Sequence, residues 1–336
     1  MFKNALLIPL MGIVRRLRAL LASRKLFSNW LSAGIKYYLV KSGFLRAGDI
    51  EVVCGDGTKD LIPVRAYGVL VNDYYNGYIT NYDCKQGIAT YVNKVRVPIG
   101  ELEKGDSIMF DSVKFAVGYG WAYDMVNKFW LKDGIKFRHM YWPIIEIFHY
   151  GEYESLGVEG SVVVDVGAFV GDSAIYFALK GARKVIAIEP HPGAFAEMLD
   201  NIRLNNMESV IIPINAGLAS KPGKICIENI DVSDAGVTYH QPGDCPNTVP
   251  VVTLGELISR FSISVDNAVL KMDCEGCEFD VILNDYEHVR LFRGLILEYH
   301  RKHDNKSVDE LLTVLSRYYK CDIMGKDLEI IHCIRK

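Results

Sequence analysis

Between Ser161 and Ile334 the chain alternates short aliphatic and β-branched runs with longer segments of helical period, an order that predicts an α/β domain. Val162 to Val164 opens as a strand buried on both faces, because no polar residue interrupts it. Asp165 stands at its end, Gly167 and Gly171 allow a tight turn, and Asp172 to Lys180 resumes as a helix. Lys184 to Glu189 is a second apolar strand closing on a carboxylate; Pro192 to Asn206 is a helix and Val210 to Asn215 a third strand. Lys224 to Ile230 reads as an inserted strand behind the turn Lys221 to Lys224. Thr253 to Phe261 is helical, with Thr253 as N-cap and Glu256 in the capping-box position. Ala268 to Asp273 and Gly294 to His300 are the fourth and fifth core strands, and Ser307 to Tyr319 the last helix. Only Gly325 to Asp327 separates the runs Cys321 to Met324 and Leu328 to Ile334, so these must pair as an antiparallel hairpin. The expected fold is therefore α/β and Rossmann-like, a mainly parallel seven-stranded sheet with a C-terminal antiparallel hairpin, over residues 154–336.

Upstream the pattern changes. Residues 49–118 carry turn signals (Gly55-Asp-Gly57, Asn76-Gly77, Gly105-Asp106) between strand-like runs at Asp60 to Val64, Thr90 to Pro98 and Ile108 to Val117, a small β-rich domain. Residues 119–153 are aromatic-rich, with Trp121, Trp130 and Trp142 among them, and are expected to lead into the next domain as helix and connector. The 336 residues and 50% hydrophobic content suit one large and one smaller domain.

Charge sets residues 1–48 apart: they hold nine Lys or Arg and no acid, which leaves 29 basic against 41 acidic residues in the remainder. Ala5 to Val14 is too short to span a bilayer, and no small-residue cleavage site directly follows it. Val14, Leu17, Leu21, Phe27, Trp30 and Leu31 approximate one helical face among Arg15, Arg16, Arg18 and Lys25. That pattern fits a helix lying in a membrane interface, and equally a helix packed on the catalytic domain or a second subunit.

The glycine turn bears on chemistry. In the dinucleotide fingerprint the middle glycine lets a pyrophosphate rest on the helix N-terminus. Here Phe169 holds that position, and Asp165 precedes the first glycine. A carboxylate there would repel a diphosphate but suits the ammonium and sulfonium of S-adenosylmethionine, which has no phosphate. The cofactor set is Asp165, Gly167, Ala168, Gly171, Asp172, Asn215 and Glu189, the last placed to accept the ribose hydroxyls.

The segments Val163 to Ala168, Gly171-Asp-Ser173, Ile188 to Pro192, Asn201 to Asn205, Val252-Thr-Leu254, Leu270 to Glu278 and Leu297 to His300 resemble, in that order, the FkbM-type S-adenosylmethionine-dependent methyltransferases. The resemblance runs from about Tyr153 to His300, and its most specific element is Lys-x-Asp-x-Glu-Gly-x-Glu at 271 to 278. It implies the class I methyltransferase fold and O-methylation of a hydroxyl, often on a sugar, glycan or small metabolite.

The chemistry of Lys271 to Glu278 is compatible with that. Lys271 and Asp273 alternate on a strand and so share a face, with Asp273 at the carboxyl end, where open α/β sheets place ligands. Asp273 is the first candidate to take the acceptor proton or to orient the acceptor; His300, ending the neighbouring strand, is the second. Lys271 would hold the carboxylates or lower the pKa of the acceptor oxygen. Glu275 and Glu278 are expected to share a face in the first helical turn. With Asp273 they could hold Mg²⁺, yet methyl transfer to anything but a diol needs no metal, so none is expected.

Cys274 and Cys277 are read as small core hydrophobes, with a redox pair or half a metal site as the alternative. The eight cysteines show no secretory spacing, and a chain of this length needs no disulfide scaffold. The expected location is cytoplasmic, with peripheral contact on the inner membrane face through residues 1–46 as the further option. Two other functions fit less well: an RNA 2'-O-methyltransferase, disfavoured by the acidic catalytic region, and a non-catalytic membrane-associated binding protein of the same fold.

Overall fold

The computed structural model describes residues 14–46, 48–104, 111–227, 232, 241–242, 245–299, 307–324 and 330–336. The chain divides into two compact units, residues 1–145 and 146–336.

The first unit begins with helix 14–22, a 3-10 turn at Ser23–Lys25 and helix Trp30–Lys41. The two helices approach closely because Gly34 has no side chain: a Cβ there would lie 2.0 Å from a Leu20 methyl. The face expected across residues 14–31 is thereby broken, for Phe27 is buried in the unit while Val14, Leu17, Leu21 and Leu31 are exposed. A two-stranded sheet (Ile50–Val53, Lys59–Ile62) and the buried helix Val64–Tyr75 follow. Two three-stranded antiparallel meanders complete the β-structure: Ile79–Asp83, Ile88–Tyr91 and Arg96–Pro98, then Ala122–Asp124, Phe129–Lys132 and Ile135–Phe137. Residues 122–137 are thus strands, where a helix and connector were expected, and their aromatics are core: Trp121, Trp130 and Phe137 are buried. Conversely, Ser112–Gly118 is a helix within the run expected as a strand from Ile108, whose residues 108–110 lie outside the described residues. Asp111 caps it, its carboxylate accepting the Lys114 N–H at 3.0 Å, a start signal that outweighs β-branched content in so short a run.

The second unit is built on one sheet. Its strands are β1 (Val162–Val166), β2 (Lys184–Ile188), β3 (Ile211–Ile214), β4 (Ala268–Met272), β5 (Gly294–Glu298), β6 (Tyr319–Met324) and β7 (Ile330–Arg335). They lie in the order β3-β2-β1-β4-β5-β7-β6, and β7 alone runs against its neighbours. Every residue of β1 and β4 is buried, as central strands covered by helices on both faces require. The main helices are α1 (Asp172–Leu179), α2 (Pro192–Leu204), α3 (Leu254–Arg260), α4 (Cys277–Asn284) and α5 (Val308–Leu315), with short helical turns at Glu146–Tyr150 and Tyr286–Val289. Thr253 and Glu256 form the expected capping box at α3. A small second sheet joins Gly217–Leu218, Gly223–Cys226, Gln241–Pro242 and Thr248–Val252; residues 228–230 of the expected inserted strand lie outside the described residues.

Disulfides correct one expectation. Cys54–Cys84, Cys274–Cys277 and Cys321–Cys333 are bonded. Cys321 and Cys333 are scattered in sequence but face each other in the β6–β7 register, and Cys274 and Cys277 meet across a tight loop, so spacing alone could not reveal the bridges.

Candidate active site

The site forms at the carboxyl ends of β1, β2 and β4, on either side of the point where strand order reverses. β1 delivers Asp165 and then turns sharply: Gly167 has φ +74°, and a Cβ on it would lie 1.7 Å from the Asp273 carbonyl oxygen. Glycine is required there because the turn after β1 packs backbone to backbone on the loop after β4. The Gly167 and Ala168 N–H groups both donate to the Ile188 carbonyl at 3.0 Å, and Gly171, at φ +85°, leads into α1. Asn201, wholly buried on α2, donates to the Val170 carbonyl at 2.9 Å and fixes the outer side of the turn.

Lys271 ties the two loops together. Its ammonium donates to the Gly167 carbonyl at 2.7 Å and the Val166 carbonyl at 3.3 Å, and lies 3.3 Å from Asp165 Oδ1 and 3.8 Å from Asp273 Oδ2. Burial alone would lower its pKa, but Asp165, Asp273 and Asp172 more than offset this, so it stays charged. The Lys271 ammonium thus lies between the Asp165 and Asp273 carboxylates. Ser173 donates to Asp165 Oδ2 at 2.7 Å, yet burial still raises the Asp165 pKa.

Glu189, buried past the end of β2, accepts the Phe169 N–H at 2.8 Å on one oxygen and the His191 N–H at 2.7 Å on the other. Phe169 is thereby held at φ +44°, a left-handed conformation uncommon for a non-glycine residue. Two amides leave part of the accepting capacity of a carboxylate for other donors. Burial pushes Glu189 up to about 8, against those two amides, and Asp172 up to about 7. Asn215 donates to the carbonyls of Glu189 and Pro190 at 2.9 and 3.1 Å, so it shapes the strand end that presents Glu189.

After β4 the chain forms a loop closed by the Cys274–Cys277 bridge, with Glu275 at φ +54° and Gly276 at φ +119°. Glu275 therefore precedes α4 and, contrary to the expectation from their spacing, does not share a helical face with Glu278. Glu278 is buried, accepting the Cys274 N–H at 2.7 Å and the Gly276 N–H at 2.9 Å, and so braces the loop. Asp273 is partly open, its side chain 28% exposed. His300 lies outside the described residues.

The residues that sequence patterns missed are Glu152 and Tyr153. The Tyr153 hydroxyl donates to Asp273 Oδ2 at 3.2 Å, and Lys271 Nζ lies 5.3 Å from its ring centre. Glu152 is pushed up to about 9 by burial and by the nearby charges of Asp273, Glu298 and Glu146. The segment around them has no period to mark it, so only its neighbourhood to the glycine unit could have drawn attention.

Around the Lys271 ammonium stand the buried carboxyl groups of Asp165, Asp172 and Glu189, each with its pKa raised by burial, and beside them the partly open Asp273. A cationic ligand with a ribose diol fits this set: Glu189 would hold the diol, while Asp165 and Asp172 would face the cation. Among the described residues no group of three or more His, Cys, Asp or Glu is placed to hold a metal ion.

A mainly parallel sheet with a glycine turn and acid-lined strand ends is compatible with a nucleoside-binding α/β domain. Residues 165–321, somewhat under half of the chain, match the model of the methyltransferase FkbM domain. A curated relative, hexuronic acid methyltransferase AglP of Haloferax volcanii, is 28% identical over 155 residues, 46% of this chain; the match spans 62% of the relative's length. Among solved structures, a putative rRNA-methylase from Clostridium thermocellum is similar with TM-score 0.36 and 12% identity, covering 57% of this chain and 95% of that one. Magnesium protoporphyrin IX methyltransferase from Synechocystis PCC 6803, with bound S-adenosylmethionine, gives TM-score 0.35 and 11% identity, with 58% and 78% covered. Structural similarities this low support no conclusion about activity.

Proposed function

We propose that this chain is an S-adenosylmethionine-dependent O-methyltransferase of the class I fold, acting on a hydroxyl of a sugar or glycan. The observation that supports the reading is the Lys271 bridge, which joins the buried Asp165 to the partly open Asp273 beside one glycine turn. The hexuronic acid relative supports a sugar acceptor.

The cofactor, when bound, supplies an electrophilic methyl group. Glu189 would hold the ribose hydroxyls, and Asp165 and Asp172 the ammonium side. Asp273, partly open beside Lys271, would accept the acceptor's hydroxyl proton on its carboxylate as the oxygen attacks. Lys271 keeps that carboxylate in line with the turn, and Tyr153 orients it. No step requires a metal ion.

The test is transfer of labelled methyl from S-adenosylmethionine to separated glycan, lipid, RNA and metabolite fractions. Label should enter the glycan or sugar fraction and fall by about 10² to 10⁴-fold with Asp273→Asn, the usual range for a positioned base. Label confined to RNA, or equal transfer by the variant, would contradict the reading.

A further inference from the structure

Helix 14–22 and helix Trp30–Lys41 carry apolar side chains on their outer faces. Val14, Leu17 and Leu21 recur at three- and four-residue intervals on the first, and Leu31, Ile35 and Leu39 at every fourth residue on the second; these six are 37 to 53% exposed. Phe44, just beyond, is 79% exposed. The opposite face of Trp30–Lys41 is also occupied by core, since Ala33, Gly34 and Tyr37 are buried. A helix apolar on both faces belongs where both faces are covered, and here one is open. Single exposed leucines are ordinary, whereas two such rows on helices in contact with each other call for an occupant.

Charge identifies that occupant. From residue 14 to residue 46 every charged side chain is basic, with Arg15, Arg16, Arg18, Lys36, Lys41 and Arg46 among them. A second copy of this surface would set cations against cations. An anionic lipid surface meets both demands: its acyl boundary takes the leucines, while long Arg and Lys side chains reach back to the headgroups. Among the described residues no helix is long and apolar enough to cross a membrane, so the helices would lie along the surface.

We propose that residues 14–46 form a docking surface for an anionic lipid bilayer. Val14, Leu17 and Leu21 and the row Leu31, Ile35 and Leu39 enter the headgroup boundary, and the interleaved Arg and Lys contact lipid phosphates. This assignment is independent of the reaction catalysed, and it separates the notion of a membrane-bound helix from that of a helix packed within the protein.

The test is flotation of the full-length protein with vesicles of phosphatidylcholine alone and of phosphatidylcholine mixed with phosphatidylglycerol. The protein should float with the mixed vesicles, about tenfold less with the neutral ones, and release as salt rises. The quadruple variant Leu17→Ser, Leu21→Ser, Ile35→Ser, Leu39→Ser should lose at least about tenfold in vesicle binding while keeping its thermal midpoint, because these side chains are already exposed. The triple variant Arg15→Gln, Arg18→Gln, Lys36→Gln should bind more weakly and with less salt dependence. Failure of the intact protein to float would overturn the proposal, and so would equal flotation of the quadruple variant. A dimer in sedimentation that the quadruple variant dissolves, without vesicle binding, would assign the face to a second copy instead and overturn it too.

Discussion

The Tyr153 hydroxyl donates to Asp273 Oδ2 at 3.2 Å while its ring lies against the Lys271 ammonium, so one side chain from outside the matched family segment grips both charged groups of the proposed catalytic pair. A hydrogen bond to a charged group is worth about 1.5 to 3 kcal/mol. Tyr153→Phe keeps the ring and loses only the donor. Turnover on the glycan fraction that takes label should fall by about tenfold, with cofactor affinity unchanged by calorimetry. Loss of both together would make Tyr153 a packing residue and no more.

Lys271 should matter more to folding than to recognition. Removing one member of a buried ion pair costs about 3 to 5 kcal/mol, because the partner stays buried and uncompensated. Here Asp165 is wholly buried and depends on Lys271 and Ser173. Lys271→Met should therefore lower stability by about that amount in denaturant unfolding. A change below about 1 kcal/mol would mean that Asp165 is held by other means.

The raised carboxyl groups give the unliganded protein a distinct response to pH. Asp172, Glu189 and Glu152 stand at about 7, 8 and 9 when folded. Their unfolded values are near 4. The folded state thus binds their protons more tightly, so the stability they contribute is complete below about pH 4 and is lost as pH rises through about 7 to 9. Thermal midpoints should decline across that interval, and S-adenosylmethionine should flatten the decline by supplying positive charge. The same coupling predicts proton release on cofactor binding near neutral pH, measurable by calorimetry in buffers of different ionisation enthalpy. A midpoint that rises from pH 7 to pH 9 without ligand would contradict the assignment.

The Cys274–Cys277 bridge closes the loop that Glu278 braces through the Cys274 and Gly276 amides. The double variant Cys274→Ser, Cys277→Ser should leave the sheet intact but speed hydrogen exchange at residues 274 to 276, as read by mass spectrometry. Unchanged exchange would show that Glu278 alone fixes the loop.

Strand ends were the most legible part of this molecule. Buried β-branched runs located β1, β2, β4 and β5, and β1, β2 and β4 bring Asp165, Glu189 and Asp273 to the carboxyl edge of the sheet, where parallel order places a ligand. Less legible were features set by distant partners. Cys321 and Cys333 meet only through the register of β6 and β7, and Tyr153 meets Asp273 only after the chain has folded around β4. Ser112–Gly118 was misread because a short apolar run has no decisive period, and its deciding signal was the single cap Asp111. The N-terminal face failed for a similar reason: the 3-10 turn at Ser23–Lys25 divides what looks continuous, sending Phe27 inward and Leu31 outward.

The account rests on Glu189 as the ribose-binding carboxylate of an S-adenosylmethionine site, and calorimetry on the purified protein tests this without knowledge of the acceptor. The intact protein should bind S-adenosylmethionine in preference to NAD, and Glu189→Ala should weaken that binding by about 1.5 to 3 kcal/mol per charged hydrogen bond lost, with the fold retained by circular dichroism. Unchanged affinity in a folded Glu189→Ala protein, or tighter binding of NAD, would contradict it.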